Sequence, residues 1–180
     1  MILDFEQNDT QSILDSLLFI ASNNWKMDQN TIKENMNKIA FHESKYGTNK
    51  FTPMQQGGGP GRGLFQFEKN VPGKGQGAAQ TAVRRLAEQL GYVPDFLKGL
   101  KQKNYDVSGL SPEQQQILFL GNLLQKPKAK KGNVPSSFRD VDTDEELAHY
   151  WATHHQAGTE PETDEYDTMI KKFLRDLQDY

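Results

Sequence analysis

The sequence predicts a mainly α protein with a glycine-rich loop or small hairpin set among its helices. Three observations carry this. Apolar residues recur at helical spacing in most of the chain, serine, threonine and glycine punctuate those segments as helix caps do, and no run shows the strict alternation of a half-buried strand. Glycine concentrates instead within residues 48–75, where the helical pattern lapses.

Taken in order, residues 11–22 place Ile13, Leu14, Leu17, Leu18 and Ala21 on one helical face. Asn30 or Thr31 is expected to cap the next helix, which runs through Ile32, Met36, Ile39 and Ala40 to Glu43 and stops near Gly47. Residues 48–75 read as a long loop with a short strand or hairpin. A helix over 76–90 is marked by Ala79, Ala82, Val83, Leu86 and Leu90 and closed by Gly91, and a shorter helical piece is expected over 94–103. Ser111-Pro112 opens another helix, whose run from Ile117 to Leu124 is apolar on almost every side and so predicts a central position. Lys126 to Asp142 reads as a surface loop. Thr143 and Glu146 form a capping box for a helix through Leu147, Tyr150, Trp151 and His154. A last helix over about 163–178 should bury Tyr166, Met169, Ile170, Phe173, Leu174 and Leu177.

A chain of 180 residues is expected to form one domain, 1–180, with a core large enough to need no staples. It has no cysteine, so disulfides and thiolate sites are excluded. A net charge of −3 makes no case for nucleic acid. The amino terminus, MILDFEQNDT, is acidic where an export signal would be basic, and no stretch reaches the roughly 18 apolar residues of a membrane span. The expectation is a protein with neither an export signal of its own nor a membrane partner.

Glu43 stands out. It follows Met36, Ile39 and Ala40 at intervals of seven, four and three, on an apolar face near the negative end of its helix. A carboxyl so placed should resist ionisation, which is how an acid catalyst stays protonated near neutral pH. Cleaving a glycosidic bond needs such an acid, and usually a second carboxylate about 5 Å away in retaining enzymes or roughly 6.5–9.5 Å away in inverting ones. From Ser44 to Phe67 there is no aspartate or glutamate, and Glu68 is the next. Acid-only chemistry has an outlet in peptidoglycan, where the 6-hydroxyl of muramic acid can attack its own anomeric carbon and give a 1,6-anhydro product. One glutamate would then protonate the leaving oxygen and afterwards accept the hydroxyl proton.

Two segments, Glu43-Ser44-x-x-Gly47 and Gly63-Leu64-Phe65-Gln66, resemble the motif pair of goose-type lysozymes and soluble lytic transglycosylases. There a catalytic glutamate-serine ends a helix and a Gly-Leu-Met-Gln segment lines the sugar groove, so Phe65 stands where methionine is usual. The family also has an Ala-Tyr-Asn-x-Gly signature facing the glutamate. His154-His155-Gln156-Ala157-Gly158 is its counterpart here, keeping a polar ring at His155 and an amide at Gln156 but not their identities. Gly61-Arg62-Gly63, with His42-Glu43-Ser44, also resembles chitinase-type endolysins, whose second catalytic glutamate sits on a longer segment that this chain lacks.

The resemblance covers roughly residues 32–158. It implies a lysozyme-like fold with a core of about 28–158 and the helix at 163–178 packed on it. Glu43 would be the catalytic residue, with Ser44, Gly63, Phe65, Gln66, His155 and Gln156 along the glycan groove. It implies cleavage of the β-1,4 bond between N-acetylmuramic acid and N-acetylglucosamine without metal or organic cofactor. Peptidoglycan strands would be the partner. With the missing leader, it points to a bacteriophage protein, carried in the virion beside other virion or tail proteins or made in the host cytoplasm and delivered to the wall.

Plainer readings stand beside these. Glu43 on an apolar face is by itself more often a paired structural acid. Ser44 can bond its own helix backbone. Gly57-Gly58-Gly59-Pro60-Gly61 can be a plain turn, and without a following Lys-Ser or Lys-Thr it is no phosphate loop. Gln66 can be an ordinary loop amide. His42-Glu43 begins the zinc-protease pattern, but Tyr46 stands where the second histidine belongs, and His154 and His155 point about 100° apart on a helix. Lys126 to Lys131 reads as a solvated basic loop, with attraction to an anionic wall polymer or virion protein as the alternative. Trp151, Tyr150 and Phe119 are core residues by default, while Trp25 and Tyr46 are better placed to stack on sugar. Other outcomes are hydrolysis with Glu68 or an acid from 140–146 activating water, chitinase-like action, and a non-catalytic virion module.

Overall fold

The computed structural model describes residues 9–44, 61–125, 138–155 and 163–180. Helix α1 (Thr10–Trp25) is capped by Asp9, whose carboxylate accepts from the backbone N–H groups of Gln11 and Ser12. It ends where Lys26 turns left-handed at φ 56°. Helix α2 (Gln29–Ser44) starts earlier than expected. Asp28, not Asn30 or Thr31, is its cap: one Asp28 oxygen accepts from both the Asn30 and Thr31 N–H groups, at 2.8 and 3.3 Å. A cap two residues upstream makes those two the donors rather than the acceptor.

Strands β1 (Gly61–Arg62) and β2 (Phe67–Glu68) form an antiparallel hairpin, with Gly61 opposite Glu68 and Arg62 opposite Phe67. Helix α3 (Ala78–Leu90) follows, closed as expected by Gly91, whose N–H reaches the Ala87 carbonyl. The piece expected over 94–103 is two short 3-10 turns, 95–97 and 101–103, with a third at 107–109. Gly99 between them and a left-handed Asn104 keep that stretch from propagating as an α-helix.

Helix α4 (Pro112–Leu124) carries the full capping box, with Ser111 and Gln114 bonded reciprocally and Pro112 at the first position. Ile117, Leu118, Phe119 and Leu120 are all completely buried, which is why no single apolar stripe was visible. It is central, packing on both α1 and α3. Gly121 allows the close approach to α3, since a Cβ there would run into Leu86. Helix α5 (Asp144–His155) has the expected Thr143–Glu146 box. Helix α6 (Asp164–Leu177), capped by Thr163, turns Tyr166, Ile170 and Phe173 inward.

Among the described residues the layering runs from α3 through α4, α1, α2 and α6 to α5. Salt bridging of Lys38 to Asp144 at 2.7 Å and a Gln116–Asn37 amide bond at 3.2 Å tie α2 to α5 and α4. The structure is mainly α, as expected. The loop residues 45–60, the basic run Lys126 to Lys131, and Gln156 to Gly158 lie outside the described residues. No helix among those described is long and apolar enough to cross a membrane.

Candidate active site

Met36, Ile39 and Ala40 anchor the last turns of α2 in the core and deliver His42, Glu43 and Ser44 where α2, α5 and α6 meet. Glu43 is part-buried. Its Oε1 accepts a hydrogen bond from the Trp151 indole Nε1 at 2.6 Å. Loss of water around the carboxyl raises its pKa to about 7, against the smaller opposing pull of the Trp151 bond and the Lys172 ammonium. Burial therefore wins, as its place on the apolar face predicted. An indole N–H can only donate, so Oε1 stays an acceptor and the proton of the neutral acid resides on Oε2. One oxygen is held; the other carries the proton.

Trp151 is itself clamped. The His42 ring meets it edge-on at 4.3 Å and Phe173 packs at 5.3 Å. His42 Nδ1 lies 2.8 Å from Asp176 Oδ2, with both side chains buried. Sequence reasoning missed three of these contributors: Trp151, which was assigned to the core alone, and Lys172 and Asp176. The missed signal was chemical. A buried indole needs an acceptor for its N–H, and Glu43 was the one acid already placed on an apolar face.

Ser44 donates its hydroxyl to the Ala40 carbonyl at 2.6 Å, the local bond that its plainer reading anticipated. The Gly63-Leu64-Phe65-Gln66 segment is the turn of the hairpin. Gly63 sits at φ +75°, and a Cβ there would collide with the Gln115 side chain and press on Val107, so only glycine fits. The fully buried Gln115 accepts from the Leu64 N–H at 2.7 Å and donates to the Leu110 carbonyl at 2.9 Å, fastening the turn to α4. Phe65 was expected on an apolar groove wall. It is buried instead and stacks on Phe119, rings 4.1 Å apart and 13° from parallel, because the turn faces α4. Gln66, left-handed at φ 48°, closes the turn by donating Nε2 to the Gly63 carbonyl at 2.8 Å.

The hairpin residues thus gather on α4, and Glu43 gathers with α5 and α6. The Gln116–Asn37 bond joins the two groups, about 9 Å along the α2 axis from Glu43. His155 ends α5 one turn beyond Trp151; its side chain and Gln156 lie outside the described residues. Tyr46 also lies outside them. Trp25, expected to stack on sugar, is buried against Phe138 at 5.6 Å.

The other acids considered have structural partners or exposure of their own. Asp144 pairs with Lys38, while Glu146 accepts from the backbone N–H groups of Asp142 and Thr143, which hold its carboxyl below the usual range. Glu68 is exposed on β2. His149 Nδ1 sits 3.0 Å from the Tyr166 hydroxyl, and among the described residues no cluster of three or more metal-ligating side chains occurs.

The arrangement can hold a neutral carboxylic acid at near-neutral pH with a fixed proton position. Comparison with family models, curated proteins and solved structures returned no significant match, so the chemistry of this site rests on its own geometry.

Proposed function

We propose that the protein is a lysozyme-like, peptidoglycan-cleaving lytic transglycosylase with Glu43 as its acid and then its base. The observation that carries the reading is the part-buried Glu43 carboxyl, poised at about pH 7 and held through one oxygen by Trp151. Near neutrality both protonation states are accessible, as a group that gives and then takes a proton requires. Glu43 Oε2 protonates the glycosidic oxygen between N-acetylmuramic acid and N-acetylglucosamine as the bond to the anomeric carbon breaks. The resulting carboxylate takes the proton of the muramic acid 6-hydroxyl, which closes on that carbon to give the 1,6-anhydro end. Trp151 donates to Oε1 throughout and is well placed to steady the charge that forms.

The engagement of Asp144 and Glu146 in an ion pair and a helix cap favours this route over hydrolysis. Exposed Glu68 on the hairpin strand is the residue that favours the hydrolytic reading. The partner is the glycan strand of the wall, and the setting is a phage particle or a phage-infected cell, read from the resemblance of the two motifs. Mass spectrometry of purified peptidoglycan after digestion tests the reading. Fragments ending in anhydromuramic acid, each lighter by one water than a reducing end, are expected. Reducing ends alone would establish hydrolysis, and no soluble fragments at all would make the fold a non-catalytic module.

A further inference from the structure

The face of α3 turned away from α4 carries a groove that has no part in the chemistry at Glu43. Ala79, Ala82 and Leu86 pack inward, while Gln80, Arg84, Ala87 and Glu88 form the stripe on the other side. After Gly91 reverses the chain, Tyr92 and exposed Val93 make a second wall, and Tyr105 closes the space. The groove is open to solvent and offers about 630 Å³, within the roughly 300–1,000 Å³ usual for small-molecule sites. None of its lining residues comes from α2, α5 or α6, which carry Glu43 and its partners.

Two features define its wall and its charge. Tyr105 follows Asn104 in the left-handed region, at φ 58° and 54°, which is unusual for a bulky side chain. The surroundings enforce it: the Tyr105 N–H bonds the Leu100 carbonyl at 2.8 Å, and the Asn104 carbonyl accepts from the Asn70 N–H at 2.8 Å. The second feature is charge. Arg84 and Glu88, the two charged residues of the lining, pair with each other at 2.6 Å and leave the groove neutral. Two tyrosines beside an apolar floor of Val83 and Ala87, rimmed by the Gln76 amide and by Gln80, whose Oε1 accepts from Asn70 Nδ2 at 2.6 Å and so turns its amide N–H groups to the rim as donors, suit a neutral ligand with apolar ring faces and hydroxyl and acetamido edges.

We infer that this groove is a second saccharide-binding site, taking oligosaccharides of N-acetylated pyranoses and holding them without cleaving them. The inference goes beyond the proposed activity and does not need Glu43 to be an acid. It is tested by titrating the ¹⁵N-labelled full chain with tetra-N-acetylchitotetraose and following the amide resonances. Shifts should appear at residues 80–93 and at Tyr105, in the Glu43→Gln variant as in the parent. Tyr92→Ala and Ala87→Trp, which remove one wall and fill the floor, should each weaken these shifts about tenfold in dissociation constant. Shifts confined to α2, α5 and α6 would overturn the inference, as would binding that ignores both substitutions. So would a groove that takes a protein segment and no sugar. Wall digestion by the same variants is measured separately, so failure of the saccharide site and failure of the catalytic reading are told apart.

Discussion

Trp151 donates its indole N–H to Glu43 across 108 residues of sequence, at 2.6 Å, and by doing so assigns the two carboxyl oxygens different tasks. The acceptor oxygen is occupied in both protonation states, so the acidic proton has one address. This asymmetry, with a pKa near 7, suits the acid-then-base role proposed for Glu43.

Glu43→Gln should abolish glycan cleavage, a loss of about 10²-fold or more for a group acting in both proton transfers, while leaving the fold intact. The amide keeps an oxygen for the Trp151 N–H. Stability should respond to pH in a defined direction. Because the folded pKa of Glu43 lies above its ordinary value of 4.5, the folded state binds the proton more tightly than the unfolded chain. The parent therefore carries no penalty from this group below pH 4.5, loses stability as pH rises toward 7, and levels off above it, by about 3 kcal/mol at most. Thermal unfolding at pH 4 and pH 8 checks this. The variant should gain on the parent only at pH 8.

Trp151→Phe keeps a ring in the clamp but removes the donor. The indole bond lowers the Glu43 pKa, so its loss should raise it further and move the alkaline limb of the pH–rate profile upward. Lys172→Met should shift the limb the same way and by less, since the ammonium has the weaker influence. A limb that stays in place in both variants would mean that another group governs it.

Asp176→Asn leaves His42 beside a neutral amide in a closed site. A buried polar group that loses its partner costs about 1–3 kcal/mol. Urea unfolding should show a loss of that order, and a double-mutant cycle with His42→Leu should recover part of it.

Gly63→Ala should be among the most damaging single-methyl additions in the chain, since it combines a left-handed backbone with collision against Gln115. A loss of about 2–4 kcal/mol is expected from strain and overpacking together. Gln115→Leu should cost about 2 kcal/mol by stripping partners from the Leu64 N–H and the Leu110 carbonyl. Chemical denaturation reads both.

The helices were legible because their signals are local: the Ser111 and Thr143 boxes, the Gly91 stop, and apolar spacing through α1, α2 and α6. Glu43 was legible for the same reason, its neighbours at three and four residues being fixed by helix geometry. Trp151, Gln115 and Asp176 were not, because the partners that matter lie 51 to 134 positions away and meet only once helices pack, and no periodicity encodes which faces meet. Asp28 lost to Asn30 and Thr31 because all three are good caps and only the chain's entry direction chooses among them. Phe65 went to the groove wall because a motif records residue type and order, not the side from which a turn is approached.

Helix α6 touches the acid's surroundings three times, through Lys172, Phe173 and Asp176. Lifting that helix even slightly would wet the carboxyl, and a hydrated glutamate reverts to an ordinary, ionised one at neutral pH. The neutral state of Glu43 is thus conditional on the last helix being seated. A partly loosened molecule would lose the neutral acid on which the proposed chemistry depends while most of its architecture still stood.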